Sequence, residues 1–421
     1  MNIVLFCLFV SILFYDVRKG IIIYAPFKLF FIPGYILIGK TEFDVAFSII
    51  AFVAYLGVYG LDKRMKVPWL IGLLVGMIAY ICNSLYPLFH PLIALHETFS
   101  VYLYAIIYFA SIQTKIHVEL AIKSVVLLCI LLIGNGIIEY LSGMNILGDF
   151  QKIYLGKGVF ISKKDIVRLG IHTTRSFIPH AIGFGVVCAC LFFFFLIYSK
   201  TKKRIGLFNF SLLAMTLVGV IISGSRTPLL GLGIMILPIL INDSFLTLRN
   251  VFVFLILIVS IYIFSGLYAY DMVMTLFDDS NNMVGGSSFE MRKTQFDYSI
   301  YYWLQKPVWG WGASAQVLEF GDKSEILGGE SVWFTLMMKR GIVGMASYIF
   351  LYLSIFWSVR HLKIRKIIFV FMIGWLAIAT GTNLPGINFF FPLMITTIFY
   401  KLRREISEGF NKRAEKIVTK C

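Results

Sequence analysis

Three polar segments of an otherwise apolar chain carry arginine in settings suited to an anion. The first runs Arg168-Leu-Gly-Ile-His172-Thr-Thr-Arg175-Ser and leads into Ile178-Pro-His180. The second is Ser223-Gly-Ser-Arg226-Thr-Pro228, in which Pro228 suits the first turn of a following helix. The third is Glu290-Met-Arg292-Lys293, followed by Trp303, Lys306-Pro307 and Gly310-Trp-Gly312. A guanidinium is always charged and can hold two phosphate oxygens at once. At a helix start it adds to backbone N–H groups already aimed at an anion. Each arginine taken alone has a plainer reading, a headgroup contact by a snorkelling side chain. The aromatic set Tyr298, Tyr301, Tyr302, Trp303, Trp309 and Trp311 is open in the same way: such rings stack on sugars, and they also form interfacial belts.

The elements that hold these segments are membrane helices. The chain has 421 residues, of which 59% are hydrophobic and only 14% charged, with a mean hydropathy of +0.85. Ordinary globular usage is about 45–50% apolar and about 25% charged. Backbone in lipid must be satisfied internally, and long apolar runs without period-two alternation select helices over a barrel. The expectation is an all-α polytopic membrane protein of one integral domain with 12–13 spans. They fall near 2–15, 21–38, 44–61, 68–85, 97–113, 120–140, 178–198, 208–222, 228–242, 250–268, 332–357, 367–383 and 389–400. The N-terminus lacks a basic n-region and a cleavage site, so it reads as retained. The six cysteines lack metal-site spacing and read as small hydrophobes, so no metal or other cofactor is expected. Glu119 and Lys123 suit a helical ion pair.

Charge orients the bundle. The tail 401–421 is basic, and alternation puts Arg360–Lys366, Lys200–Arg204 and Lys63–Lys66 on its side, which is then cytoplasmic. The loops 141–177 and 269–331 face the other way. The first holds Lys152, Lys157, Lys163, Lys164, Arg168 and Arg175 against Asp149 and Asp165, a positive patch that topology does not explain. The net charge of +16 otherwise follows from cytoplasmic loops and calls for no nucleic acid.

The motifs resemble those of the bacterial O-antigen polymerase and O-antigen ligase superfamily. Ser223-Gly-Ser-Arg226-Thr-Pro is similar to its short "S-R-(T/G)" turn between spans. Arg292 with Trp303, Lys306-Pro307 and Gly310-Trp-Gly312 is similar to its "R…W…P…G-x-G" loop. Glu330 through Arg340-Gly-Ile-Val-Gly344 is similar to the loop end, where a polar residue opens a helix finishing in "G-x-x-G". Ligases of the superfamily carry a His-Asn pair where this chain has Glu330-Ser331, so the resemblance points to the Wzy-type polymerase branch.

That resemblance implies a GT-C-like, metal-independent transferase of the inner membrane, working on undecaprenyl-diphosphate-linked oligosaccharide at the periplasmic face. A chain-length regulator protein is a further partner it implies. Arg226 and Arg292 are then the expected diphosphate-stabilising residues, with Glu330, and after it Glu290, as the base. Arg168, His172, Arg175, Lys293, Tyr302, Trp303 and Arg340 are the expected substrate-binding residues. Two other readings remain: a ligase acting on lipid A-core, and a glycolipid flippase or transporter. Transporters place ionisable groups at mid-membrane and show internal repeats, whereas here the mid-span charges are few (Lys28 and Lys123).

Overall fold

A computed structural model describes residues 2–30, 36–38, 41–60, 67–87, 89–149, 167–168, 171–178, 180–201, 207–240, 289–312, 315, 331–362, 365–382 and 390–402. The chain forms an all-α membrane protein. Its helices are α1 (Asn2–Tyr15), α2 (Val17–Phe27), α3 (Phe43–Tyr59), α4 (Leu70–Leu85), α5 (Pro91–Glu97), α6 (Tyr104–Ser111) and α7 (Lys115–Ser142). They continue with α8 (Ala181–Thr201), α9 (Leu207–Ile222), α10 (Arg226–Leu240), α11 (Phe289–Gln305), α12 (Val332–Val359), α13 (Arg365–Gly381) and α14 (Phe390–Leu402). Four stretches are long and apolar enough to cross a membrane: Pro91–Ser111, Lys115–Ser142, Ala181–Ser199 and Val332–Val359. Six further apolar helices among the described residues are shorter. The expected span 250–268, the clusters Lys63–Lys66 and 202–204, Lys152–Asp165, the glycines at 321, 328 and 329, and the tail beyond 402 lie outside the described residues.

Several expectations need correction. The stretch 21–38 is not one span: α2 is 11 residues long, and beyond it β1 (Ile36–Ile38) pairs antiparallel with β2 (Thr41–Glu42). A second minimal hairpin joins β3 (Val167–Arg168) to β4 (Ile171–His172). The chain can turn back after α2 because Lys28 meets Asp44 at the start of α3, where Asp44 also accepts from Tyr24. The segment 289–305, read as loop, is helix α11. Glu119 lies 3.9 Å from Lys115, one turn before it, rather than pairing with Lys123.

The described chain divides into two compact units. One comprises Met1–Leu127, Ala346–Phe369 and Phe389–Cys421. Its core is aromatic: Tyr24, Tyr104 and Phe390 surround the Lys28 ammonium, which stands 4.3 Å from the Tyr104 ring centroid, and Phe43 and Phe47 pack on Tyr24. Within this unit α5 and α6 are joined by a π-helical turn, Thr98–Leu103.

The other unit comprises Leu128–Met345 and Val370–Asn388, and α8 is its centre. Residues 183–196 of α8 are buried on every side, as a helix apolar all round must be. Its neighbours α9 and α10 approach closely because small residues line the contacts. A Cβ at Gly219 would stand 2.6 Å from the Cys188 sulfur, and one at Gly136 would stand 2.7 Å from the Phe184 ring. All the positioned site residues belong to this unit.

Candidate active site

The turn between α9 and α10 is built by its small residues. Gly224 takes a left-handed φ of +61°, the conformation that ends helices at glycine, and its N–H donates to the Ile221 carbonyl. Ser223 and Ser225 are fully buried and donate to the carbonyls of Val220 and Ser223. Arg226 follows as the first residue of α10, half-exposed at a helix N-terminus.

The segment before α8 is held against this turn. The Thr174 N–H donates to the Ile222 carbonyl at 3.1 Å, which ties the residue before Arg175 to the end of α9, four residues before Arg226. Glu139, near the end of α7, clamps the same segment. Its Oε2 accepts the backbone N–H of Arg175 at 3.2 Å and of Ser176 at 2.6 Å, while its Oε1 lies 3.9 Å from the Arg175 Nε. Asn135 donates to Asn145 Oδ1 and to Ser176 Oγ, and Asn145 donates to the Ser176 carbonyl. Ser176 sits at φ +55°, a strained position for a residue with a side chain, held by this network. Sequence reasoning missed Glu139, Asn135 and Asn145. The available signal was their presence inside and at the end of an apolar run.

His180 precedes α8, and its carbonyl accepts from the Phe184 N–H. Partial burial, reinforced by the Arg175 charge, holds its imidazole below the ordinary histidine range. A Cβ at Gly185, in the second turn of α8, would meet the Pro228 ring at 2.8 Å, so this turn lies against the first turn of α10.

The start of α12 reaches the same place. Ser331 caps it, its hydroxyl accepting from the Trp333 N–H, and the Trp333 indole donates to Thr380 Oγ1 at the end of α13. The next residue, Gly381, packs on Thr227, where a Cβ would stand 2.8 Å from the threonine Cγ2. The N-termini of α8, α10 and α12 are thus linked with Arg175 and Arg226 at one end of the unit. Helix N-termini carry partial positive charge and unpaired N–H groups, so this end suits an anion. Glu330, the residue before Ser331, lies outside the described residues.

The Pro307–Gly312 segment has a structural duty. At Gly341 the backbone of α12 leaves helical geometry (φ +57°, ψ −157°), which frees the carbonyls of Met338 and Lys339 and the N–H groups of Ile342 and Val343. The segment takes up all four: Trp311 and Gly312 donate to Met338 and Lys339, and Pro307 and Val308 accept from Ile342 and Val343. Backbone meets backbone here, because a Cβ at Gly310 would stand 2.6 Å from the Lys339 carbonyl carbon. The Trp303 indole donates to the Pro307 carbonyl, the Trp311 indole to that of Tyr302, and the Lys306 ammonium lies 4.0 Å over the Trp311 ring. Trp303 and Trp311 therefore hold this docked segment together.

The remaining expected residues are spread around this frame. Glu290 and Arg292 open α11, and Lys293 is exposed on it. Arg340 is half-buried just before the kink of α12, its side chain running over Gly344. Arg168 and His172 lie in the β3–β4 hairpin. The Phe296 and Phe334 rings, 5.7 Å apart, bring α11 beside the first turn of α12.

No curated protein and no solved structure matches the chain. Residues 210–349 match the family described as O-antigen ligase. That range contains the Arg226 turn, α11, the docked segment and the kinked part of α12. The match supports a polymerase/ligase-type, glycosyltransferase-like function with lipid-linked polysaccharide substrates. Residues 210–349 are thus an O-antigen-ligase-like domain, consistent with the O-antigen polymerase/ligase superfamily.

Proposed function

We propose that the protein is a surface-polysaccharide polymerase of the bacterial inner membrane. It moves a growing glycan from undecaprenyl diphosphate onto the non-reducing end of the next lipid-linked repeat unit at the periplasmic face. The reading is carried by one observation: the Thr174–Ile222 hydrogen bond holds the segment of Arg175 to the turn that leads to Arg226, at an end where three helices begin. In the reaction the acceptor hydroxyl oxygen bonds to the donor sugar C1 and the C1–O bond to the diphosphate breaks. Arg226, Arg292 and Arg175 stabilise the charge developing on the leaving diphosphate. Glu330 takes the acceptor proton, with Glu290 the next choice. The diphosphate charge falls on arginine and helix N-termini, so the reading calls for no metal.

The O-antigen ligase description of the matched family favours one second reading, transfer of the same donor to lipid A-core. Glu330-Ser331 in place of the His-Asn pair of the ligases favours the polymerase. Deleting the gene in its host and separating surface glycan by gel decides between them. Single-repeat stubs mean polymerase, and polymer retained on the carrier lipid means ligase. A repeat trapped in the cytoplasmic leaflet means flippase and overturns both.

A further inference from the structure

Gln295 lies on α11 with 2% of its surface exposed, and neither its amide oxygen nor its amide nitrogen has a hydrogen-bond partner among the described residues. The other wholly unpartnered side chains there are single hydroxyls or an indole, at Ser84, Tyr108, Ser199, Trp375 and Thr396. Among these side chains Gln295 is the amide, with two separate polar atoms unsatisfied where each of the others has one. Such a group is costly to a fold and calls for an explanation. A core packed for stability alone would place methionine or leucine here.

The position of Gln295 supplies one. Ser299, four residues later, shares its face of α11, and Arg292 lies three residues earlier in the helix. The Ser299 hydroxyl is already committed to the Gln295 backbone carbonyl. The adjacent Phe296 touches Phe334, which fixes this part of α11 beside the capped first turn of α12.

We propose that Gln295 is a specificity-determining residue that holds the glycan of the lipid-linked substrate beside the diphosphate-binding arginines. The chemistry of the amide selects the ligand class. A diphosphate only accepts hydrogen bonds, so it would satisfy the Nε2 and leave the Oε1 unpartnered. A sugar hydroxyl, or the acetamido group of an N-acetylated sugar, both donates and accepts and satisfies the two together. Gln295 therefore reads sugar rather than phosphate, an assignment that rests on the polymerase/ligase reading above.

The test is Gln295→Met, which keeps the length of the side chain and removes its hydrogen bonding. Wild type and variant, purified in nanodiscs, are compared by melting temperature and by binding of the lipid-free repeat-unit oligosaccharide released from the host polysaccharide. Polymerisation of the lipid-linked repeat unit is measured in parallel. The expected result is an unchanged or raised melting temperature with oligosaccharide binding weakened about tenfold. Polymerisation is expected to fall by a similar factor. Equal binding by both proteins overturns the proposal, as does no binding by either. A variant that melts well below wild type also overturns it, because the amide must then already be satisfied in the free protein. Glycan binding that depends on Gln295 without polymerisation by the wild type would leave this assignment standing and sink the polymerase reading instead.

Discussion

At the scale of residues, the proposed site is a set of cations, of which Arg175 is held in place by groups of other kinds. Arg226 is expected to use its fork on a diphosphate, so Arg226→Lys should lower polymerisation by about one to two decades, the worth of a lost charge-assisted contact in the transition state. Normal chain length at equal expression would return Arg226 to a headgroup contact. Glu139 is a positioning residue: it touches Arg175 and Ser176 and holds the strained turn between them. Glu139→Ala leaves buried N–H groups unpartnered, each costing about 1–3 kcal/mol. If Glu139 acts through Arg175, the double variant Glu139→Ala/Arg175→Ala should be no less active than Arg175→Ala alone. Additive losses would show that Glu139 works by some other route. His180 reports on the same corner. Its imidazole is held down first by burial and then by Arg175, so the neutral form is favoured and the associated stability is lost as pH falls below the ordinary value of about 6.5. Arg175→Gln should raise the His180 titration midpoint, read by NMR of labelled histidine. An unmoved midpoint would remove Arg175 from its surroundings.

At the scale of elements, two joints rest on interactions of different kinds. The kink of α12 exists because glycine occupies 341: a left-handed φ costs other residues about 1–2 kcal/mol, and a Cβ there would also stand 2.5 Å from the Val308 carbonyl oxygen. Gly341→Ala should undock the Pro307–Gly312 segment and cut the yield of folded protein. Gly233→Ala, on an exposed face of α10 with nothing within 4 Å, should be tolerated. Equal behaviour of the two variants would show that the docked segment is dispensable. In the other unit, Asp44→Ala strands the Lys28 ammonium in an aromatic core. Removing one partner of a buried pair costs about 3–5 kcal/mol, which a denaturant titration would register. Hydropathy made the long elements legible, as in the expected span 208–222 against α9 at Leu207–Ile222. It failed for α11, whose polar composition resembles a loop, and for α2, whose end is set by an ion pair across 16 residues. The motif glycines were legible as turns, but their contact with the kink was not. That contact joins carbonyls and N–H groups that hydropathy does not weigh.

At the scale of the whole molecule, the proposed orientation rests on reading single helices at both ends. The second turn of α8 meets the Arg226 turn, and its far end runs into Lys200, Lys202, Lys203 and Arg204. The first turn of α12 is tied to Thr380, and its far end is followed by Arg360, Lys363, Arg365 and Lys366. Basic clusters mark the cytoplasmic ends of spans, so we propose that the opposite ends, where the arginine site lies, face outward. In that orientation the positive charge of the site would run against the topology signal, as expected where cations are kept to bind an anion. The sequence after α14 adds Arg403 and Arg404 to the basic set. In a cysteine-free background, Ser287→Cys should react in intact cells with a membrane-impermeant maleimide that has passed the outer barrier. Ser407→Cys should react only after the inner membrane is opened. Labelling of Ser407→Cys in intact cells would reverse the orientation and place the arginine site in the cytoplasm. A donor exported on undecaprenyl diphosphate would then be out of its reach.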